Sequence, residues 1–476
     1  VSIIYFEHDF KEALKDSIEM LLFPELMIQN VCIDSRLVLR NSLFFAIPGQ
    51  NYDGHDFCND VIDRSATCIV VERISETLRQ RCKDLKVSFI LVRDSVRALG
   101  ELARYRRSQI NAKVIAVTGS IGKTTVKSTI AAVLDRFSDI EASEKSFNNH
   151  IGMPLTLANV KNDTKVVVLE IGMNHIGEIE YLSKIAMPHI SIITVITNAH
   201  IGNFNNIDEI VRAKCEIFSG MNSSGIIILN KTDPHCEAIV KSAKECGIKN
   251  IFYVGSQNDS HMYILNHRFT NICTIEYNIA LRDQTDKMIG CSINGLGYHS
   301  AFNTLFTFAV ARIFKLDLTI VAKILSKIST IEGRGNIGMI QINDKKITVI
   351  NDSYNSSPDA LKSAIVMLGT LKKQNPNQRA VCFLGDMLEL GSFSQECHKS
   401  ILNTILESDI DVVYTVGKEM RYLYEVLPIG IRGHHFQNSA ALANKIKQLV
   451  KNGDLTIFKA SRSININLAI DRLYHS

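Results

Sequence analysis

Val114-Ile-Ala-Val-Thr-Gly-Ser-Ile-Gly-Lys-Thr-Thr125 is an apolar, β-branched run that breaks into a turn bounded by Gly119 and Gly122. The run predicts a strand. The residues after it set Val126, Ile130, Val133, Leu134 and Phe137 on one face of a helix. Glycine lets the intervening backbone curl so that its N–H groups can surround phosphate oxygens, and the helix N-terminus adds positive dipole. Gly119, Ser120, Ile121, Gly122, Lys123, Thr124 and Thr125 are therefore the candidate nucleotide loop. Lys123 would reach the β/γ-phosphates, and the Thr124 hydroxyl can ligate Mg²⁺. Val117 holds the place of the usual first glycine, giving a G-x-x-G-K-T-T variant. A chance Gly/Lys/Thr turn rarely has a strand before it and a helix after it. The motif specifies a nucleoside triphosphate and leaves the reaction open.

Around this loop, strand-like runs alternate with amphipathic helices, the pattern of an α/β fold with a mostly parallel sheet. Upstream, to about Arg93, short apolar segments (Ser42–Ile47, Thr67–Val71, Val87–Val92) are separated by turn residues. Asp94–Arg107 reads as a helix, and so does Asp317–Ser329 with Asp317 as N-cap. Beyond it, Ile347–Ile350, Ala380–Leu384, Val412–Val416 and Thr456–Lys459 read as strands. Three domains are expected, at 1–93, 94–327 and 328–476, with no internal repeat.

Composition bounds the rest. The 476 residues are too many for one ordinary core. A net charge of +4, without a dense Lys/Arg block, gives no nucleic-acid signature. The 11 cysteines show no metal-ligand spacing, and Cys68, Cys273 and Cys382 sit in apolar runs as buried free thiols do. No apolar stretch reaches the ~18–20 residues of a membrane span, and no signal peptide is evident. A cytoplasmic protein is expected.

Two further positions bear on chemistry. Val166-Val-Val-Leu-Glu170 ends a strand on a carboxylate, either a Mg²⁺ ligand beside the loop or a surface cap. In Ile207–Phe218, Lys214 falls on the apolar face with Ile207, Ile210, Val211 and Phe218, while Asp208, Arg212 and Glu216 point elsewhere. An inward lysine must find a partner or lose its charge, unless it snorkels at the stripe's edge. His200 lies just before that helix.

These pieces, in this order, resemble the Mur ligases. Thr118–Thr125 is similar to their phosphate loop, Asn148-Asn-His-Ile-Gly-Met-Pro154 to their N-N-x-x-G-x-P segment, and Glu170-Ile-Gly-Met-Asn-His-Ile-Gly-Glu178 to their E-x-G segment. Asn198-Ala-His200 and Ala213-Lys-Cys-Glu-Ile-Phe218 match two more blocks. Asn351-Asp-Ser-Tyr-Asn-Ser-Ser-Pro-Asp359, Leu384-Gly-Asp-Met-Leu-Glu-Leu-Gly391 with His398, Asp34-Ser-Arg36, Leu43–Gly49, Asp53–Phe57, Gly297-Tyr-His299, Gly333-Arg334 and Lys459-Ala-Ser-Arg462 resemble the branch that adds D-alanyl-D-alanine. Ser146 stands where relatives often carry Asn, Ser300 likewise, and Ile33 where Thr or Ser is usual.

The resemblance implies an N-terminal UDP-sugar-binding domain, a central P-loop ATPase domain and a Rossmann-like C-terminal domain that binds the incoming dipeptide. It implies an ATP-dependent amide ligase that joins D-alanyl-D-alanine to UDP-N-acetylmuramoyl-tripeptide through an acyl phosphate, with no nucleic-acid or membrane partner, as a monomer. Thr124, Glu170, His200 and a carbamylated Lys214 would hold Mg²⁺. Lys123, Glu170, His200 and Lys214 would be catalytic. His299, Asn303, Arg334 and Asp352 would contact ATP. Ser35, Arg36, Gly49, Asn148, Asn149 and Tyr354 would bind substrate, while Asn355 and Asp359 either contact the dipeptide or order the loop. Ser357-Pro358 reads as N-cap and first residue of a helix. A sister Mur or folylpolyglutamate-type ligase, or a P-loop protein that catalyses nothing, are the competing readings.

Overall fold

A computed structural model describes residues 4–474, apart from residues 145, 200, 257, 258, 272, 273 and 296. Its strands form three main sheets, each taken from one continuous part of the chain.

The first sheet contains β1 (Glu19–Leu21), β2 (Asn30–Cys32), β3 (Ser42–Phe45), β4 (Cys68–Val71) and β5 (Ser88–Leu91) in the order β1-β5-β4-β3-β2. All its pairings are parallel except β1 with β5. Its strands are apolar on both faces, as a sheet covered on both sides requires. Leu43, Phe45, Cys68 and Val70 join a core shared with the rest of the molecule, while Phe44, Ala46, Ile69 and Val71 close over Val61 and Cys82.

The second sheet carries the phosphate loop. It contains β6 (Lys113–Thr118), β7 (Ile140–Ala142), β8 (Val166–Glu170), β9 (Ile190–Ile193), β10 (Ile226–Asn230), β11 (Asn250–Gly255), β12 (Met262–Asn271), β13 (Thr274–Leu281) and β14 (Gln284–Asn294). The order is β14-β13-β12-β11-β10-β9-β6-β8-β7, so β6 lies between β8 and β9. The sheet is parallel up to β12, and β12–β14 then run antiparallel. Alternating burial of Ile275, Tyr277 and Ile279 is the period of two of such a meander. Sequence periodicity around the loop does not announce this extension.

The third sheet contains β15 (Asn336–Ile342), β16 (Lys345–Asn351), β17 (Ala380–Gly385), β18 (Val412–Val416), β19 (Arg432–Phe436) and β20 (Leu455–Lys459), ordered β15-β16-β20-β17-β18-β19. It is parallel except for the β15 edge. The Phe383 ring stacks on Phe458 at 4.6 Å and on Tyr414 at 4.9 Å, filling one face.

Helix α1 (Ser95–Gln109) begins at Asp94, whose carboxylate accepts from the Arg97 N–H at 2.8 Å. It packs on the second sheet's helices Gly152–Ala158 and Glu178–Ala186. Its Arg106, 3% exposed, donates to the Val160 carbonyl at 2.6 Å and to Asn162 Oδ1 at 2.7 Å, with its guanidinium 5.8 Å from the centre of the Tyr5 ring. Asn159 exchanges two hydrogen bonds with the Val31 backbone, at 2.8 and 2.9 Å. The first sheet is thereby pinned to the second by buried polar groups as well as apolar contact. Asp317 caps Leu318–Leu325, accepting from the Thr319 N–H at 2.8 Å, and the helix stops four residues short of the expected Ser329. Cys68 and Cys382 are fully buried free thiols; Cys273 lies outside the described residues. No helix among the described residues is long and apolar enough to cross a membrane.

Candidate active site

At the C-terminal end of β6 the chain turns through Gly119 (φ +142°) and Gly122 (φ +88°) into α2 (Lys123–Leu134). Both glycines hold a backbone region that a side chain disfavours, and a Cβ at Gly122 would sit 3.1 Å from Asn303 Oδ1. Three contacts hold the turn from outside. The Ser120 N–H donates to the Val195 carbonyl at 2.7 Å, Ser120 Oγ to the Thr197 carbonyl at 3.1 Å, and Thr194 Oγ1 to the Ile121 carbonyl at 2.6 Å. Lys123 folds back onto its own loop, donating to the Gly119 carbonyl at 2.7 Å and the Ser120 carbonyl at 3.2 Å. Burial lowers its pKa, while the nearby Glu170 carboxylate acts the other way.

Glu170, 1% exposed, ends the neighbouring strand β8. Asn148 Nδ2 donates to its Oε1 at 2.8 Å, and its backbone N–H donates to Ser143 Oγ at 3.2 Å. Its Oε2 is buried without a partner, as is Thr118 Oγ1 at the end of β6. Unmet buried oxygens are costly, and two of them beside a phosphate loop suit a hard cation with oxygen ligands. The residues present therefore fit Mg²⁺.

Lys214 lies on α3 (Ile207–Cys215), which ends in a tighter turn at Glu216–Gly220. It is 1% exposed, so it does not snorkel. Burial, then the Lys123 cation, push its pKa well below that of an ordinary lysine. His200 lies outside the described residues. Glu216, expected to point away from the apolar face, is half-buried and accepts from the Gly177 N–H at 2.8 Å and the Glu180 N–H at 3.1 Å. It caps helix α4 (Glu178–Ala186) and ties the segment after Glu170 to the end of the Lys214 helix. A carboxylate two residues after the lysine was visible in the sequence, but its distant partner was not.

The C-terminal part of the chain completes the enclosure. Arg334, between Gly333 and Gly335 (φ +71° and +80°), donates from Nη2 to Thr124 Oγ1 at 2.9 Å, and its Nε is buried without a partner. Tyr354 donates to Ser146 Oγ at 2.5 Å, and the Gly202 N–H to the Glu389 carbonyl at 3.1 Å. Lys459, 3% exposed and named in the sequence only as the start of the Lys459–Arg462 block, with no role, donates to Asp352 Oδ2 at 2.6 Å and to the Asn355 carbonyl at 3.0 Å. His398 is fully buried. It donates from Nδ1 to the Ser394 carbonyl at 2.7 Å, and its Nε2 accepts from the Met387 N–H at 3.1 Å, fixing the loop of Glu389. Asp386 accepts from the Met420 N–H at 2.7 Å in the same loop, so that loop's acid is structural.

Between these walls lies a cavity of about 1190 Å³. It brings together Ser120, Ile121, Gly122, Lys123, Thr124, Thr125, Asn148, Glu170, His299, Asn303, Arg334, Asp352, Tyr354, Asn355 and Asp359. Gly119 and Lys214 lie behind this lining. Asn149 does not reach it; its Oδ1 accepts from the Gly152 N–H at 2.8 Å and caps the following helix. Ser35, Arg36 and Gly49 lie apart on the first sheet's loops, with Arg36 paired to Asp34 at 2.6 Å. Ser357 takes the N-cap position of α6 (Pro358–Gln374, with α5 spanning Tyr298–Ile313), but its side chain makes no capping bond.

Three domain families match along the chain: Mur ligase family, catalytic domain, over residues 27–107; Mur ligase middle domain over 117–311; and Mur ligase, glutamate ligase domain, over 338–462. The UDP-N-acetylmuramoyl-tripeptide--D-alanyl-D-alanine ligase of Rickettsia prowazekii is 35% identical over 442 residues, covering 93% of this chain and 94% of the relative. The ligase of the same name from Buchnera aphidicola is 32% identical over 465 residues, covering 94% of each. Among solved structures, MurF from Acinetobacter baumannii superposes with a TM-score of 0.83 at 25% identity, covering 99% of both chains. With the phosphate loop, the buried carboxylate and lysine behind it and full-length relatives all in register, the chain belongs to the Mur ligase family.

Proposed function

We propose that this chain is the ligase that joins D-alanyl-D-alanine to UDP-N-acetylmuramoyl-tripeptide at the expense of ATP, in the cytoplasm, as a step of peptidoglycan precursor synthesis. The observation that carries the reading is the single cavity in which the phosphate loop and Glu170 face Arg334, Asp352, Asn355 and Asp359 from the opposite sheet. The domains proposed are 1–93 for the UDP-sugar, 94–327 for ATP and 328–476 for the dipeptide.

An amide cannot form directly from a carboxylate, because oxide is a hopeless leaving group. A terminal carboxylate oxygen of the tripeptide attacks the γ-phosphorus of ATP, ADP departs, and an acyl phosphate results. The dipeptide's free amine then attacks the acyl carbon, loses a proton, and phosphate leaves. Phosphoryl transfer rests on positioning and charge neutralisation. Lys123 swings from its loop carbonyls to the phosphates, and Arg334 moves from Thr124 to the γ-phosphoryl oxygens. Asp352, held by Lys459, receives the ribose hydroxyls, with His299 and Asn303 along the nucleotide. Mg²⁺ held by Thr124, Glu170, His200 and the carbamate of Lys214 would supply further positive charge to the phosphates. Lys214 suits that role because burial and the Lys123 cation disfavour its protonation; a neutral amine and CO₂ give a carbamate and a proton, replacing a buried base with a carboxylate. Contacts between the walls exclude water from the acyl phosphate.

The test is acceptor choice. Purified protein with Mg²⁺-ATP and UDP-N-acetylmuramoyl-tripeptide should release phosphate when D-alanyl-D-alanine is added, and the product should have the mass of the pentapeptide. Turnover with a single amino acid in place of the dipeptide would assign a sister ligase instead.

A further inference from the structure

Tyr354 sits where three parts of the site meet. The Arg334 guanidinium lies over its ring at 4.2 Å and the Arg462 guanidinium at 5.3 Å. Its hydroxyl donates to Ser146 Oγ at 2.5 Å and lies 3.4 Å from Arg462 Nη1. Its backbone N–H donates to the Gly333 carbonyl at 3.0 Å, directly before Arg334. Arg334 in turn reaches Thr124 on the phosphate loop, and Ser146 lies two residues before Asn148, which holds Glu170. Two guanidiniums beside one ring repel each other, and the attraction of each to the ring's negative face offsets part of that repulsion. A polyanion is what such a pair is arranged to meet. The tyrosine hydroxyl is committed to Ser146, a residue of the opposite wall.

We infer that Tyr354 is a positioning residue for phosphoryl transfer: a platform that aims Arg334, and Arg462 beside it, at the nucleotide phosphates and fastens that aim to domain closure through Ser146. This rests on the ligase reading above and assigns Tyr354 to the ATP side of the site instead of to the dipeptide. The serine at 146 fits the role, since its short side chain accepts the phenol directly.

The experiment is a double-mutant cycle on Tyr354 and Arg334 in the full chain, with two readouts. Affinity for a non-hydrolysable ATP analogue, by calorimetry, needs no peptide. Steady-state kinetics separates kcat from the KM for D-alanyl-D-alanine. Tyr354→Leu removes ring and hydroxyl and should lower analogue affinity and kcat by about 30-fold, the size of a desolvated cation–π contact. Tyr354→Phe keeps the ring and loses one hydrogen bond, so about 5-fold is expected; it also serves if the leucine variant folds poorly. In the Arg334→Met background, Tyr354→Leu should add less than about 3-fold, because the tyrosine acts through the arginine. Dipeptide KM should stay at the wild-type value throughout. Additive losses in the cycle, or a raised dipeptide KM with kcat intact, would overturn the inference. If the protein ligates nothing, the calorimetric cycle still decides the role of Tyr354, and only the ligase reading fails.

Discussion

Replacing Lys214 with methionine separates stability from activity. The side chain is 1% exposed, and the charge that acts on it is the Lys123 cation, which like burial disfavours its protonation. In the unfolded chain the same lysine titrates near ~10.4. Between its depressed folded pKa and that value the unfolded state binds a proton that the folded state refuses. Stability then rises with pH, by up to about 1.4 kcal/mol per pH unit. Lys214 thus destabilises the fold at neutral pH, and the penalty vanishes as pH approaches ~10.4. Methionine matches the stem and carries no base, and a volume-conserving exchange costs less than about 1.5 kcal/mol. Thermal melts in CO₂-depleted buffer should show Lys214→Met more stable than wild type near pH ~7, with the gap closing toward pH ~10. Turnover of the same variant should fall about a thousandfold or more, since the carbamate that would hold Mg²⁺ at the phosphates can no longer form. Bicarbonate should stabilise the wild type and leave the variant unmoved. A methionine variant at least ~2 kcal/mol less stable near neutral pH, with the wild-type pH slope unchanged, would mean a charged and paired Lys214 and refute the reasoning.

Three other outcomes follow from the geometry. Glu170→Gln keeps an acceptor for Asn148 at 2.8 Å, so its melting temperature should stay near wild type while the Mg²⁺ needed for half-maximal turnover rises at least ~10-fold, read by titrating the metal. Arg106→Met strands the buried Val160 carbonyl at the joint between the sheets and should cost about 1–3 kcal/mol in denaturant unfolding. His398, whose pKa is lowered by burial, takes a proton in the unfolded chain before the folded one. Stability should therefore fall as pH drops below ~6.5, and His398→Gln should flatten that acid limb in chemical denaturation.

Features whose cause is local were legible in the sequence. The strand, loop and helix at 113–134 follow from β-branched residues, two glycines and helical spacing, all within one short segment. Helical periodicity also placed Lys214 inward, and the structure buries it with Ile210, Val211 and Phe218. Asp94 and Asp317 cap helices because an N-cap acts on neighbours two or three residues away. Tyr354 on Ser146, Arg334 on Thr124, Lys459 on Asp352 and Glu216 on the start of α4 were not legible. Each pair is separated by dozens to hundreds of residues and is created only by sheet order. Asn149 marks the opposite difficulty: a residue in a family motif that serves its own next turn. The meander of β12–β14 was missed because its alternation belongs to strands that flank the loop's sheet without shaping the loop.

The central claim is that a carboxylate oxygen of the tripeptide passes to phosphate while the amide forms. The measurement is isotope tracing. UDP-N-acetylmuramoyl-tripeptide labelled with oxygen-18 in its terminal carboxylate is turned over with Mg²⁺-ATP and D-alanyl-D-alanine, and the released phosphate is weighed by mass spectrometry. The acyl phosphate route predicts phosphate that carries one labelled oxygen per pentapeptide formed. Unlabelled phosphate accompanying pentapeptide, or labelled phosphate without the dipeptide's incorporation, would contradict it.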